Sequence, residues 1–423
     1  MPADKSVSHR AAILSALAEG KTRVDNFLHS ETTQATLRCL RALGAEIEQT
    51  GPDTLVICGR GLHGLREPSE VLYCQGSGTT MRLLAGVCAG QAFLSLLDGT
   101  AALKRRPMAR VVEPLRAMGA TVLARDGDRL PPLAIRGGNL RGIDCTLPVA
   151  SAQVKSAILL AGLFAEGPTT VHEPGPSRDH TERLLRGLGV AVESREATNG
   201  WSVRLCAPVA LPAPGVVAVP GDLSSAAFFV VAGLLVPGSV LRLEGVGVNP
   251  TRSGLLDVLA RMGTKIEREN EREQSGEPVA DLVVRGGEGL AAVAVGGELV
   301  PRAIDEFPIL AVAATQAQGE TVVRDAAELR VKESDRITSL AQELRRLGAQ
   351  VEERPDGFAI QGPTRLRGAR VLAHNDHRLA MALAVAGLIA EGETIIDGWE
   401  CVGDSFPGFS AALVNAAGAE VLA

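Results

Sequence analysis

The chain has 423 residues, 46% hydrophobic and 22% charged, the balance of a soluble globular protein with room for two or three domains. A net charge of −6 gives no basic surface for nucleic acid, and no apolar run nears the roughly 20 residues of a membrane helix, so neither partner is expected. Aromatics at 3% leave the core to Leu, Val, Ala and Ile, and seven scattered cysteines without a Cys-x-x-Cys pair fit reduced, buried thiols in a cytoplasmic protein.

Taken from the N-terminus, Asp4-Lys5-Ser6-Val7-Ser8-His9-Arg10 precedes a helix expected over residues 11–18. Ser6 or Ser8 would cap it, and the free N–H groups there favour an anion. Gly76-Ser77-Gly78-Thr79-Thr80-Met81-Arg82 is a glycine-rich turn feeding a helix over 82–89. It lacks the Lys of a P-loop, but glycine lets backbone N–H groups approach a phosphate or carboxylate closely. Leu103-Lys104-Arg105-Arg106-Pro107 reads as a solvated basic loop, and Ser151-Ala152-Gln153-Val154-Lys155 opens a helix over 154–164. Ser177-Arg178-Asp179-His180-Thr181 opens another. Residues 226–235 and 378–389 are helices apolar nearly all round, as buried helices are. Short strands ending in Gly or Pro are expected at 54–59, 132–137, 203–208 and 358–362, and the charged stretch 267–280 as a solvated hairpin loop. Lys332 and Arg336 stand at i and i+4, which predicts one shared helix face ahead of the stripe Ile337, Leu340, Leu344. Asn375-Asp376-His377-Arg378 then places charge against a wholly apolar helix, where burial without a partner is costly.

One phrase recurs through these elements: an apolar helical lead, a Gly, then a β-type run. Its copies centre on Gly44, Gly119, Gly189, Gly263, Gly348 and Gly418, spaced 70 to 85 residues apart. Gly directly after an apolar-periodic helix is a left-handed stop signal, so each copy marks the end of a helix and the approach of a strand. Six α/β units of this size predict a pseudo-symmetric body, with three units before Pro220-Gly221-Asp222 and three after it.

The polar motifs place Lys5, Arg10, Arg82, Arg106, Arg178, Lys332, Arg336 and Arg378 at loop-to-helix junctions. That inventory asks for substrates carrying several negative charges. No His/Cys/Asp cluster has metal-ligand spacing, and no dinucleotide fingerprint appears, so neither metal nor cofactor is expected.

In order, Lys5-Ser6-Val-Ser-His9-Arg10, Ser77-Gly-Thr-Thr-Met-Arg82, Lys104-Arg-Arg-Pro-Met108, Ser151-Ala-Gln-Val-Lys-Ser156, Ser177-Arg-Asp-His-Thr-Glu182, Asp305-Glu-Phe-Pro308, Arg330-Val-Lys-Glu-Ser-Asp-Arg336 and Asn375-Asp-His-Arg378 resemble the 5-enolpyruvylshikimate-3-phosphate (EPSP) synthase family. The resemblance runs from residue 2 to about 409 and is closer to the bacterial class with Ser-Ala-Gln. It implies two globules of three βαβαββ units each: a continuous one over 6–220 and a discontinuous one of 1–5 with 221–423, with the active site in the cleft between them. The implied reaction moves the enolpyruvyl group of phosphoenolpyruvate onto the 5-hydroxyl of shikimate 3-phosphate and releases phosphate. A monomer suffices, because the two globules belong to one chain.

By position, the resemblance assigns Lys5, Ser6, Arg10, Ser151, Ala152, Gln153, Arg178, Asp305 and Lys332 to shikimate 3-phosphate. It assigns Lys5, Gly78, Arg106, Gln153, Lys332, Arg336 and Arg378 to phosphoenolpyruvate. Asp305 is the implied base, Glu333 its partner in proton transfer, and Lys5 and Lys332 further proton carriers. Gly78 implies sensitivity to glyphosate, which occupies the phosphoenolpyruvate site in the family. Three features depart from the pattern. The family usually has a strand before the Lys motif, Gly and Asn where Gln75 and Gly76 stand, and in some members a substrate-binding Lys at Asp404. The alternatives are a silent relative that binds shikimate 3-phosphate without turnover and a UDP-N-acetylglucosamine enolpyruvyl transferase. The latter uses a Lys-Asn pair and a reactive loop Cys, whereas this chain has Lys5-Ser6 and no Cys over 103–107.

Overall fold

The computed structural model describes residues 1–417 except Asn199 and Glu288. The chain forms two compact units: an N-terminal unit of Ala3–Pro220 with Glu273–Glu277, and a C-terminal unit of Met1–Pro2, Gly221–Arg272 and the residues from Pro278 on. The first boundary therefore falls before Ala3 rather than after Lys5. Asp4 is tied to this unit because its N–H donates to the Pro220 carbonyl at 2.7 Å and its side chain caps the helix that Lys5 opens.

Within the N-terminal unit three four-stranded sheets follow one plan. In the first, Val216–Ala218 runs parallel to Glu19–Asp25, which pairs antiparallel with Leu55–Arg60, which pairs antiparallel with Glu46–Gln49. The second orders Leu72–Tyr73, Leu94–Asp98, Leu130–Arg136 and Thr121–Ala124 in the same way. The third orders Asp144–Thr146, Thr169–Glu173, Gly200–Leu205 and Val192–Ala197. Central strands alternate buried and open residues, as a half-covered sheet requires. In the C-terminal unit, Ala317–Val323 takes Leu290–Ala291 and Ala294–Val295 as parallel partners and Gly357–Gly362 as antiparallel, with Gln350–Arg354 beyond. Val240–Gly247, Glu277–Arg285 and Glu267–Gln274 form a three-stranded sheet, and Arg370–Leu372 pairs with Ile395–Asp397. Each unit buries its own apolar core, and in the C-terminal one Phe307–Ala314 is buried at every residue.

The recurring phrase closes each unit's helix as predicted. Gly44, Gly119, Gly189, Gly263 and Gly348 all take positive φ, between 78° and 110°. After each, the next N–H reaches back to the leading Leu carbonyl, as Val190 does to Leu185 at 3.0 Å, which is the bond of a Schellman turn. The sixth copy, around Gly418, lies outside the described residues.

Four expectations need correction. Helices begin earlier than apolar periodicity indicates: Gly78–Ala89, Ala152–Gly162, Leu223–Leu235 and His377–Leu388 include part of the polar motif ahead of each. Ser77, Asp222 and Asp376 cap three of them with side-chain acceptors, so the motif residues are themselves the helix start. At the N-terminus the cap is Asp4, not Ser6 or Ser8, and the helix is Lys5–Leu17. Lys332 and Arg336 share no helix face, because Asp335 caps a helix that starts only at Arg336. Residues 267–280 are not a solvated loop: they are two strands whose tip belongs to the N-terminal unit, where Glu277 is buried against His180 at 2.8 Å and Ser275 accepts from Ala218 N–H at 2.9 Å.

Candidate active site

In the N-terminal unit the polar motifs gather around three helix starts. Gly86 lets the helices Gly78–Ala89 and Ala152–Gly162 touch backbone to backbone, since a Cβ there would lie 2.1 Å from the Ala157 carbonyl. At their N-terminal ends, Arg82 donates to Gln153 Oε1, and Gln153 Nε2 donates to Thr79 Oγ1 at 2.8 Å. A Cβ on Gly78 would stand 2.9 Å from Arg82 Nη1 and 3.1 Å from Arg106 Nη1. Arg106 therefore does not merely decorate a solvated loop. The structure brings Gly78, Arg82, Arg106 and Gln153 together. Gln75 just before them holds a left-handed φ of 54°, so a non-glycine there is strained, and the Thr100 N–H bond to its carbonyl holds it.

Arg10 is buried, and its guanidinium donates to Thr181 Oγ1 at 2.7 Å, Ser156 Oγ at 2.7 Å and the Ser6 carbonyl at 3.0 Å. Burial pushes its pKa down to about 10 against the pull of Glu182 and Asp4, and the charge of Arg178 lowers it further. Ser6, Arg10 and Arg178 thus share one neighbourhood. Lys5 stands at the start of the same helix, near enough for its charge to act on His9. Ser151 is the N-cap of Ala152–Gly162, yet its hydroxyl makes no capping bond.

In the C-terminal unit a denser cluster forms around Arg336, whose side chain is 1% exposed. Its Nε lies 2.7 Å from Asp376, one Nη lies 2.7 Å from Glu333, and the other lies 3.2 Å from Asp305. Burial works against its charge, but Asp376, Glu333 and Asp305 outweigh burial and hold its pKa well above the ordinary guanidinium value. Asp305 also stands 3.8 Å from Lys332 Nζ and 3.6 Å from Arg378. Lys332 and Arg336 therefore meet through a shared carboxylate, with Asp305 set in the loop before Phe307–Ala314. An anion reaching Arg336 must compete with Glu333 and Asp305 for its N–H groups.

Asp376 was visible in its motif but had no role assigned by sequence. It caps His377–Leu388 through the Arg378 N–H at 3.0 Å, accepts from Ser334 at 3.1 Å and pairs with Arg336. One fully buried carboxylate thus pairs with the Arg336 guanidinium and holds the backbone N–H of Arg378. The signal was there: an acid beside Arg378 ahead of an apolar helix must have a buried cationic partner. Lys155, Glu173 and Glu182 were also missed, and their side chains are 0% exposed. Among the described residues no group of three or more His, Cys, Asp or Glu could hold a metal ion, and no helix is long and apolar enough to cross a membrane.

Comparison with known proteins gives a consistent picture. The family profile described as EPSP synthase (3-phosphoshikimate 1-carboxyvinyltransferase) matches residues 1–413. A 3-phosphoshikimate 1-carboxyvinyltransferase of Desulforudis audaxviator is 54% identical over 415 residues, covering 98% of this chain and 95% of its own. One from Pelotomaculum thermopropionicum is 54% identical over 414 residues, covering 97% and 94%. The EPSP synthase of Acinetobacter baumannii superposes with a TM-score of 0.87 at 45% identity, covering 98% of this chain and 94% of its own. The enolpyruvyl transferase NikO of Streptomyces tendae matches with a TM-score of 0.77 at 19% identity, a likeness of fold alone.

Proposed function

The chain belongs to the EPSP synthase family and has its α/β enolpyruvyl transferase fold, and we propose that it transfers the enolpyruvyl group of phosphoenolpyruvate to the 5-hydroxyl of shikimate 3-phosphate. The observation that carries this reading is Asp305, a carboxylate set among Lys332, Arg336 and Arg378 at 3.2 to 3.8 Å. That arrangement suits a base that must work beside anionic substrates.

In the addition step the 5-hydroxyl oxygen bonds to C2 of phosphoenolpyruvate, its proton leaves, and C3 gains a proton to become a methyl group. In the elimination step the methyl group loses a proton and the C2–phosphate bond breaks, releasing phosphate and leaving the enol ether. Asp305 takes the hydroxyl proton, and Glu333, with Lys332 and Lys5, serves the proton transfers at C3. Because both substrates carry phosphate and carboxylate, their binding needs several cations at once.

Lys5, Ser6, Arg10, Ser151, Ala152, Gln153 and Arg178 of the N-terminal unit hold shikimate 3-phosphate with Asp305 and Lys332. Gly78, Arg106 and Gln153, with Lys5, Lys332, Arg336 and Arg378, hold phosphoenolpyruvate. The enzyme acts as a cytoplasmic monomer in this reading, since every proposed ligand comes from one chain. Asp305→Asn keeps the shape and removes the base, so turnover should fall roughly a hundredfold or more. Calorimetric binding of shikimate 3-phosphate should stay nearly intact. Near-normal turnover in that variant would remove Asp305 from the base role.

A further inference from the structure

A buried ionic cluster lies behind the start of the helix Ala152–Gly162. Lys155 Nζ stands 2.8 Å from Glu173 Oε2 and 2.8 Å from Glu182 Oε1, and donates to the Ser177 carbonyl at 3.3 Å. Burial opposes the lysine charge, but Glu182 and Glu173 outweigh it and raise its pKa. Glu173, on the strand Thr169–Glu173, does more than balance charge. Its Oε1 accepts the Ser151 N–H at 2.9 Å, and its Oε2 accepts the Ser177 hydroxyl at 2.8 Å. Donors from three segments thus converge on one carboxylate: the residue before the helix, the helix itself, and the turn that carries Arg178.

Stability alone gives no reason for this arrangement, because a buried ion pair is often no better than apolar residues of the same volume. Its geometry suggests another purpose. Ser77, Asp335 and Asp376 spend their N-cap side chains on their helices, whereas Asp179 and Ser253 do not. Ser151 belongs with the latter, but its N–H is held by the buried Glu173 carboxylate, which fixes the residue while its hydroxyl makes no capping bond. We propose that Glu173 is a positioning residue that locks Ser151–Gln153 and Ser177–Arg178 into one rigid seat for shikimate 3-phosphate. The inference rests on the substrate assignment made above. Glu182, which touches the lysine but neither segment, is the internal control.

The test compares Glu173→Gln with Glu182→Gln in the full-length enzyme. A glutamine at 173 cannot accept from all three donors, so KM for shikimate 3-phosphate should rise roughly tenfold or more. KM for phosphoenolpyruvate, which shares only Gln153 with this seat, should rise less than that for shikimate 3-phosphate, and kcat should stay within about threefold. Glu182→Gln should leave the shikimate 3-phosphate KM within about threefold as well. A merely structural role would lower the active fraction and leave KM alone. An unchanged KM in folded Glu173→Gln, or an equal rise in Glu182→Gln, would overturn the proposal. If Glu173→Gln does not fold, Ser177→Ala removes only the hydroxyl tether and should raise the same KM about fivefold; a value within about threefold of wild type would count against the proposal. Amide hydrogen exchange separates this inference from the substrate assignment. Even in a protein without turnover, the Ser151 amide should exchange roughly tenfold faster in Glu173→Gln than in wild type, and equal rates would refute the tether.

Discussion

Gly78 shows how one missing methyl group can shape the proposed phosphoenolpyruvate site. Its Cβ would press on Arg82 Nη1 at 2.9 Å and Arg106 Nη1 at 3.1 Å, the far ends of two flexible cations that can shift but then no longer meet a ligand as before. Gly78→Ala should therefore raise KM for phosphoenolpyruvate and weaken glyphosate inhibition by roughly tenfold or more relative to wild type. Inhibition curves for the two proteins at low phosphoenolpyruvate check this, and superimposable curves would contradict it. His9 carries a prediction of another kind. Its Nδ1 lies 2.7 Å from Thr36 Oγ1, and burial, then Lys5 and Arg10, push its pKa down to about 3. The folded value lies below the unfolded one, so protons favour the unfolded chain. This contribution is fully present above about pH 6.5 and is lost as pH falls toward 3, by at most about 1.4 kcal/mol per unit. Wild type should lose urea stability relative to His9→Asn between pH 6.5 and 4, whereas parallel stability curves would contradict the burial argument. The family resemblance pointed to Gly78, but the approach of Arg106 to it and the burial of His9 depend on the fold and could not be read from sequence.

At the scale of elements, the recurring phrase was the most legible feature, and the structure adds a tether to it. In four copies the residue after the leading Leu is an Arg that reaches over the turn to the following strand. Arg41 donates to the Ile47 carbonyl, Arg116 to Val122, Arg186 to Val192 and Arg345 to Val351. The fourth copy has Ala260 at that place and so cannot make the tether. Arg186 also donates to Ser194 at 2.6 Å, so Arg186→Met should cost about 1 kcal/mol in urea unfolding. Arg261→Met in the fourth copy, which removes no such bond, should change stability by less than about 0.5 kcal/mol. Equal effects would deny the tether a role. Sequence showed where each helix stops, because a Gly after an apolar lead has one strong conformational meaning. Helix starts were misplaced at Gly78, Leu223 and His377, since Ser77 was read within an anion-binding turn, Asp222 as a unit boundary and Asp376 as charge against an apolar helix. A polar cap lies outside the apolar period it starts, so periodicity alone places the helix start too late.

For the molecule as a whole, the division near Pro220 was legible from the repeats, because three copies precede it and three follow. The hairpin tip at Glu273–Glu277 was not. Its run of alternating acids and Arg reads as solvated, and only the fold brings Glu277 to His180 and Ser275 to Ala218. The cations were legible at their loop-to-helix junctions, but their carboxylate counterparts were not. Asp376 holds Arg336, and Glu173 holds Lys155, in places where sequence shows only an acid near an apolar run. The account as a whole stands on these charges serving two anionic substrates in one reaction. Phosphate release from the purified chain, given shikimate 3-phosphate and phosphoenolpyruvate, tests that claim most directly. Release should require both substrates and disappear in Lys332→Ala. A folded wild-type chain that binds shikimate 3-phosphate but releases no phosphate would contradict the account and make it a silent relative.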